Sequence, residues 1–270
     1  MERTRTTEVG QHAGERVRVM GWLQSLRKMG GITFLVIRDG WSIVQAVTEA
    51  DAELGPLQNG EQPAWGAGNS VESVIAVEGT VVREAQAPGG FELHELSIEL
   101  ITPVTEPPPV TINKRKLTAS AGTILAHAAV TNRHAARRAV LRLAAGVMSG
   151  FRQTLLERGF TEIQTPKIVA SATESGANVF KLDYFGRPAY LAQSPQFYKQ
   201  MMVGVFERVF EVGPVFRAEP HDTTRHLSEF VSLDVEFGFI ENHFTVMAVL
   251  RDVIAVSYTH LRAHETGRNL

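Results

Sequence analysis

Between Pro103 and Pro109 the chain places four prolines in seven residues, and its apolar residues are spaced differently on either side. Proline lacks a backbone N–H and fixes φ, so neither a strand ladder nor a helix runs through such a cluster. Before it, apolar and polar residues alternate. Val17, Val19 and Gly21 lie between polar neighbours, and residues 32–37, 43–47, 74–82 and 91–101 are short β-prone runs divided by glycine-rich turns. After it the period lengthens to about 3.6 residues. Val140, Leu143, Val147, Phe151 and Leu155 share one stripe of a helix predicted over residues 133–159. A strand over 160–165 ended by Pro166, a helix around 195–205, and strands over 208–218 and 230–240 joined by a polar hairpin follow.

Five strands in about 90 residues suggest a small closed barrel such as the OB fold. Strands mixed with helices suggest an α+β second domain built on an antiparallel sheet. The expected organisation is a barrel over residues 1–105, a Pro-rich hinge over 106–132, an α+β domain over 133–255 and a tail over 256–270. Composition narrows the function classes. There are no cysteines, which excludes disulfides and thiolate-bound metal. A net charge of −2 gives no global nucleic-acid signature, although a local basic face suffices for RNA. Residues 1–18 are polar, unlike a secretory signal, and no apolar run approaches the ~20 residues of a membrane span. A soluble, cytoplasmic protein without a membrane partner is expected.

The charged hairpin is the strongest candidate for chemistry. Phe216-Arg217-Ala218-Glu219 ends one predicted strand, Arg225-His226-Leu227-Ser228-Glu229-Phe230 opens the next, and Ser232-Leu233-Asp234-Val235-Glu236 continues it. Side chains two apart in a strand share a face, so Arg217 and Glu219 should point together, as should Asp234 and Glu236. Such a face offers guanidinium forks to phosphate, and carboxylates to an ammonium group or Mg²⁺. By itself it also reads as a solvated charged hairpin.

Several stretches in one order go further. The hairpin resembles motif 2 of the class II aminoacyl-tRNA synthetases. Thr165-Pro166-Lys167-Ile168 with Ala172-Thr173-Glu174-Ser175-Gly176, residues 191–200 (Leu-Ala-Gln-Ser-Pro-Gln-Phe-Tyr-Lys-Gln) and residues 210–217 (Phe-Glu-Val-Gly-Pro-Val-Phe-Arg) resemble the aspartyl and asparaginyl branch. Helix 133–159 with its strand and Pro166 resembles motif 1, the dimer-forming element of that class. The resemblance runs from Arg16 to Ala255, and its nearest type is the archaeal-like aspartyl-tRNA synthetase.

That resemblance implies roles residue by residue. Arg217 would contact the α-phosphate of ATP and the substrate carboxylate, as the catalytic residue. Glu219 would meet the adenine side of ATP, Phe230 would stack on adenine, and Arg225 would reach the γ-phosphate, with His226 and Leu227 beside it. Glu174, Gln196, Lys199, Arg217 and Asp234 would line the aspartate pocket, Lys199 facing the side-chain carboxylate and Asp234 the ammonium group. In the barrel, Arg27, Phe34 and Gln45 would read the anticodon, Phe34 by stacking and the others at base edges. Taken alone, Phe34 in an apolar run reads as core. ATP and Mg²⁺ are the implied cofactors, with no metal held by the chain itself. Aspartate, tRNA(Asp), tRNA(Asn) as a second acceptor, and a homodimeric assembly are the implied partners. Gln24 and Pro88 occupy positions where strict archaeal-type enzymes carry Trp and Lys, which implies relaxed anticodon choice.

The chain departs from the family in two places. Nothing matches the third class II motif, so an incomplete catalytic domain without activity of its own is expected. Helical spacing in Val246, Val249, Leu250, Val253 and Ile254 stops at Ala255, and residues 256–266 resemble the read-through of a sequencing adapter. Asparaginyl-tRNA synthetase, or a tRNA-binding protein without catalysis, are the rival readings. Gly66-Ala67-Gly68 reads as a turn, and His221 with His226 lacks a zinc-ligand pattern.

Overall fold

Gly21 shows how the barrel closes. It lies in β1 (Arg16–Met29), a strand long enough to pair along one half with β4 (Val74–Arg83) and along the other with β2 (Ile32–Arg38). At the changeover, Trp22 faces Val74 on one side and Arg38 on the other, and a bulge follows between Leu23 and Ser25. A Cβ on Gly21 would collide with the Arg38 carbonyl oxygen, so this crowded bend excludes any larger residue. Gly30 and Gly31, at φ +56° and +85°, form the two-residue turn into β2. In the computed structural model, β3 (Ile43–Glu49) and β5 (Phe91–Thr102) complete a closed barrel of order β1-β2-β3-β5-β4. The described residues are 1–49, 71–174, 178–221, 223 and 225–265, with side chains to Ser257. The turn expected at Gly66–Gly68, the Ser175–Gly176 match and the end of the tail lie outside them.

The alternation read from the sequence becomes an inside and an outside. Val17, Val19 and Leu23 from β1, Leu35 and Ile37 from β2, Val44 and Ala46 from β3, Ile75, Val77 and Val81 from β4, and Leu93 from β5 form one buried core. All the strands expected in this half are present. The Pro-rich hinge expected over 106–132 differs from the observed chain. Val110 and Ile112 are buried, and two short helices, α1 (Ala121–Ala126) and α2 (Ala128–Thr131), lie within it. Neither is long enough to show a period in sequence. The first compact unit accordingly extends from Met1 to Ala139.

Two buried carboxylates hold that unit together. Glu72 receives Arg38 Nη2 at 2.6 and 2.7 Å and Arg133 Nη1 at 3.0 Å, so it ties the segment after the prolines to the barrel. Arg38 also lies over the Trp22 ring at 5.1 Å. Asp39 accepts from Thr6 N (2.9 Å), Thr6 Oγ1 (2.7 Å), Trp41 N (2.7 Å) and Ser42 N (2.9 Å), and its side chain is fully buried. Burial pushes this carboxyl up, but the donors from Thr6, Ser42 and Trp41 together hold it below the usual aspartate range.

The second unit runs from Val140 to Gly267. Helix α3 (Ala135–Glu157) leads into it, close to its expected span. Of the expected stripe, Phe151 and Leu155 are buried, whereas Val140 and Leu143 remain exposed. The strand expected over 160–165 shrinks to β6 (Thr161–Glu162), which pairs in parallel with β10 (Arg208–Phe216) through two residues. β10 pairs antiparallel with β11 (Glu229–Phe237), giving the order β11-β10-β6. A second small sheet, β7 (Ile168–Val169), β9 (Arg187–Leu191) and β8 (Lys181–Tyr184), precedes α4 (Gln196–Phe206). Its strands are too short to show alternation. Helix α5 (His243–Glu265) continues ten residues past the stop expected at Ala255, because loss of an apolar stripe does not end a helix that has no breaker residue. Phe151, Leu155, Phe160, Phe210, Val212, Val249 and Val253 make the core, with Phe151 edge-on to Phe210 at 5.8 Å.

Each unit yields a stability prediction. The folded-state pKa of Asp39 lies below its unfolded value, so its contribution is complete above the ordinary aspartate range and vanishes as pH falls through it. The three tryptophans (Trp22, Trp41 and Trp65) fall within residues 1–139, so their emission reports on the first unit alone. The tryptophan-monitored unfolding midpoint should be flat near neutrality and fall below about pH 4. Asp39→Asn should lower it at pH 7 by the equivalent of about 1–3 kcal/mol and flatten the acid slope, and an unchanged acid slope would contradict this account. In the second unit, Glu211 is buried against Lys167 Nζ at 2.9 Å. Glu211→Ala should cost about 3–5 kcal/mol, read by calorimetry in the transition to which tryptophan emission is silent.

Candidate functional site

Strand β11 carries Asp234 and Glu236 on one face, as alternation requires, and helix α4 brings Lys199 to them. Lys199 Nζ lies 2.9 Å from Asp234 Oδ1 and 3.7 Å from Glu236 Oε2. Gln196, one helical turn earlier, places Nε2 3.5 Å from Glu236 Oε2. The Lys199 side chain is only 7% exposed, and a cation that dry needs such anionic neighbours. One cation between two carboxylates can exchange partners with a ligand that brings both signs of charge.

Arg217 lies just past the end of β10, with its N donating to Ser228 O at 3.0 Å. Its Nη2 donates to Glu174 Oε2 at 3.2 Å, and its guanidinium sits 5.6 Å from the centre of the Phe230 ring. Its Nε is buried and has no hydrogen-bond partner among the described residues. An unsatisfied guanidinium nitrogen inside a polar site is the kind of group that a phosphate or carboxylate oxygen completes. Glu174 is held in turn by the fully buried Gln193, whose Oε1 accepts from Glu174 N at 3.1 Å, while Thr173 Oγ1 accepts from Gln193 N and Ser194 N at 3.0 and 3.2 Å.

The structure therefore brings together Glu174 with Arg217 and Phe230, and Gln196 with Lys199 and Asp234. One expectation is corrected: Arg217 and Glu219 do not share a strand face. β10 stops at Phe216, and Glu219 N turns back to donate to Arg217 O at 2.8 Å. Glu219 is half-buried, whereas Arg225, His226 and Leu227 are exposed on the β10–β11 connection, with His226 Nδ1 2.7 Å from Thr223 Oγ1. Among the described residues no hydrogen bond or ion pair joins these four side chains to Glu174, Lys199 or Arg217. No group of three or more metal-ligating side chains occurs among the described residues. Gln193 was not singled out from sequence, and Glu236 was placed on the candidate face beside Asp234 without being assigned to the aspartate pocket.

On the barrel, cross-strand register places Arg27 opposite Phe34 and Phe34 opposite Val47, with Val36 opposite Gln45 two residues along. Arg27, Phe34 and Gln45 thus lie on one outer face. Leu35 and Ile37 point into the core while Phe34 is only half-buried, so the core reading of Phe34 is set aside. Gln45 Nε2 donates to Glu92 Oε2 at 2.9 Å, and Glu92 Oε1 lies 2.7 Å from His94 Nε2. Sequence reading missed both Glu92 and His94, since an alternating polar residue in a strand signals only an outward face.

Residues 121–268 match a family profile described as tRNA synthetases class II (D, K and N), and residues 17–101 match one described as an OB-fold nucleic acid binding domain. The chain is similar to an aspartate–tRNA(Asp/Asn) ligase of Deinococcus radiodurans, 45% identical over 97% of this chain and 57% of that protein. It is also similar to the enzyme of the same name from Thermus thermophilus, 44% identical over 90% of this chain and 54% of that protein. Among solved structures, asparaginyl-tRNA synthetase from Pyrococcus horikoshii, complexed with asparaginyl-adenylate, superposes with a TM-score of 0.84 at 30% identity, covering 99% of this chain and 60% of that one. The chain spans little more than half the length of the curated relatives it matches. With an OB barrel and a class II family match over more than half its residues, this chain belongs to the class II tRNA synthetases of the D, K and N group.

Proposed function

We propose that the protein to which this chain contributes activates aspartate with ATP and transfers it to the 3′ end of tRNA(Asp), and also of tRNA(Asn), with the barrel reading the anticodon. Lys199 carries the reading. A buried ammonium group between Asp234 and Glu236 suits a substrate with both a side-chain carboxylate and an ammonium group, whereas the neutral amide of asparagine offers Lys199 no charge to pair. In the activating step an oxygen of the aspartate α-carboxylate bonds to the α-phosphorus as the bond to the bridging oxygen breaks and pyrophosphate leaves. Arg217, with its unpartnered Nε, would receive the charge that builds on the α-phosphate oxygens. Phe230 beside it offers a ring face to the adenine. Mg²⁺, when bound with ATP, would offset phosphate charge. A homodimer and a cytoplasmic location belong to the same reading.

The full-length protein should exchange pyrophosphate into ATP in the presence of aspartate. Arg217→Ala should lower that rate by about 10²–10³, the worth of one donor to a developing oxyanion. Exchange supported by asparagine and not by aspartate would overturn the assignment.

Relaxed tRNA choice is read from the barrel. The aspartate and asparagine anticodons, GUC and GUU, differ only in their third base. Gln24, at the β1 bulge, and Pro88, which begins the turn before β5, bring neither the bulk of Trp nor the charge of Lys to restrict it. Both tRNAs should accept aspartate from the full-length enzyme in acid-gel charging assays. An asparagine tRNA left uncharged would refute dual acceptance while leaving the aspartate assignment intact.

A further inference from the structure

Glu92 is the buried centre of a three-residue chain on the outer barrel wall. β3 and β5 run parallel with Gln45 opposite Glu92, and His94 follows two residues along β5 on the same face. Glu92 Oε2 accepts from Gln45 Nε2 at 2.9 Å, and its Oε1 lies 2.7 Å from His94 Nε2. A carboxylate has no proton to give, so both partners must donate. This fixes the Gln45 amide with its nitrogen toward Glu92 and its carbonyl oxygen turned away. It also fixes the histidine with a proton on Nε2.

We propose that His94 is a positioning residue for base reading: its Nε2–H holds the Glu92 carboxylate in the rotamer that orients the Gln45 amide. The proposal rests on the reading of the Arg27–Phe34–Gln45 face as the anticodon surface. An amide held by its nitrogen presents an acceptor, which suits a base edge bearing an N–H. With His94 removed, one carboxylate oxygen loses its donor, and Glu92 is free to rotate. It can then take both amide hydrogens of Gln45, or compete for the donor on the base. Either outcome weakens the selectivity that a fixed amide provides.

The test uses the 270-residue chain and labelled RNA hairpins with a GUC loop or single-base replacements, followed by fluorescence anisotropy. His94→Ala should weaken GUC binding about tenfold and reduce discrimination against the replaced base by a similar factor. His94→Gln, which keeps a side-chain N–H, should recover most of the loss. In a Gln45→Ala background, His94→Ala should add nothing, because the residue acts through Gln45. Three results would overturn the proposal: His94→Ala binding like the parent, His94→Gln as weak as His94→Ala, or an equal loss with and without Gln45. Phe34→Ala and Gln45→Ala separate the two levels of inference. If neither weakens binding, the anticodon-face reading fails and the His94 proposal with it. If both do and His94→Ala does not, the proposal alone fails.

Discussion

Glu211 is fully buried in β10, and the geometry of the candidate site depends on how it is satisfied. Its Oε1 takes Lys167 Nζ at 2.9 Å and Thr165 N at 3.0 Å, and its Oε2 takes Thr165 Oγ1 at 2.7 Å. Pro166 between them cannot donate, so the two flanking residues supply all three contacts. The Lys167 carbonyl then accepts from Ala192 N, and the Ala192 carbonyl accepts from Phe216 N, both at 2.9 Å. One carboxylate thereby fixes the segment after β6, the stretch that leads to Gln193 and α4, and the residue before Arg217. Gly213 fits the same arrangement, since a Cβ there would lie 3.2 Å from Glu211 Oε1. A charge buried this deeply stabilises the fold only while every partner is present, which makes it a register pin more than a source of net stability.

The barrel uses the same device. Asp39 gathers the N-terminal segment through Thr6 and the β2–β3 turn through Trp41 and Ser42. Glu72 gathers β2 and the segment before α3, and Glu92 gathers β3 and its own strand. Apolar burial sets which face of each strand points inward, but it is non-directional and tolerates sliding along a strand. Directional bonds to a buried carboxylate do not. Of the side chains proposed to touch substrate or RNA, Gln45 donates directly to such an anchor, Glu92, and Arg217 follows the residue whose backbone is tied through Ala192 and Lys167 to Glu211.

These anchors mark the limit of what the sequence made legible. The five barrel strands, α3, α4 and the β10–β11 hairpin were readable because alternation and the 3.6 period directly record which side is buried. The pocket grouping of Gln196, Lys199 and Asp234 came from motif resemblance, and the fold supplied its distances. Glu211, Glu92 and Glu72 were passed over, because a glutamate reads as solvent-facing until its partners are known, and those partners lie up to 61 residues away. The helices α1 and α2 and the small sheet were missed because elements of two to six residues carry no measurable period. Arg217 and Glu219 failed for a different reason. Alternation holds only inside a strand, and the chain leaves β10 at Phe216, before either residue.

The charges at the site, read under the aspartate proposal, pair with one another before they pair with a ligand. Arg217 is neutralised by Glu174, and Lys199 by Asp234 with Glu236 beyond, so no charge stands alone before substrate arrives. Aspartate carries two carboxylates and one ammonium group. Its side-chain carboxylate can replace an acid at Lys199, its ammonium group can take up the acid so displaced, and its α-carboxylate can compete with Glu174 for Arg217. Each exchange trades one ion pair for another, and at Lys199, whose side chain is only 7% exposed, the desolvation cost of burying charge is largely met before a ligand binds. Asparagine can make the third exchange but not the first, and with no acid displaced from Lys199 the second has no free carboxylate to take up. Lys199 would keep its original partners, and the energetic difference between the two substrates would arise at that one nitrogen.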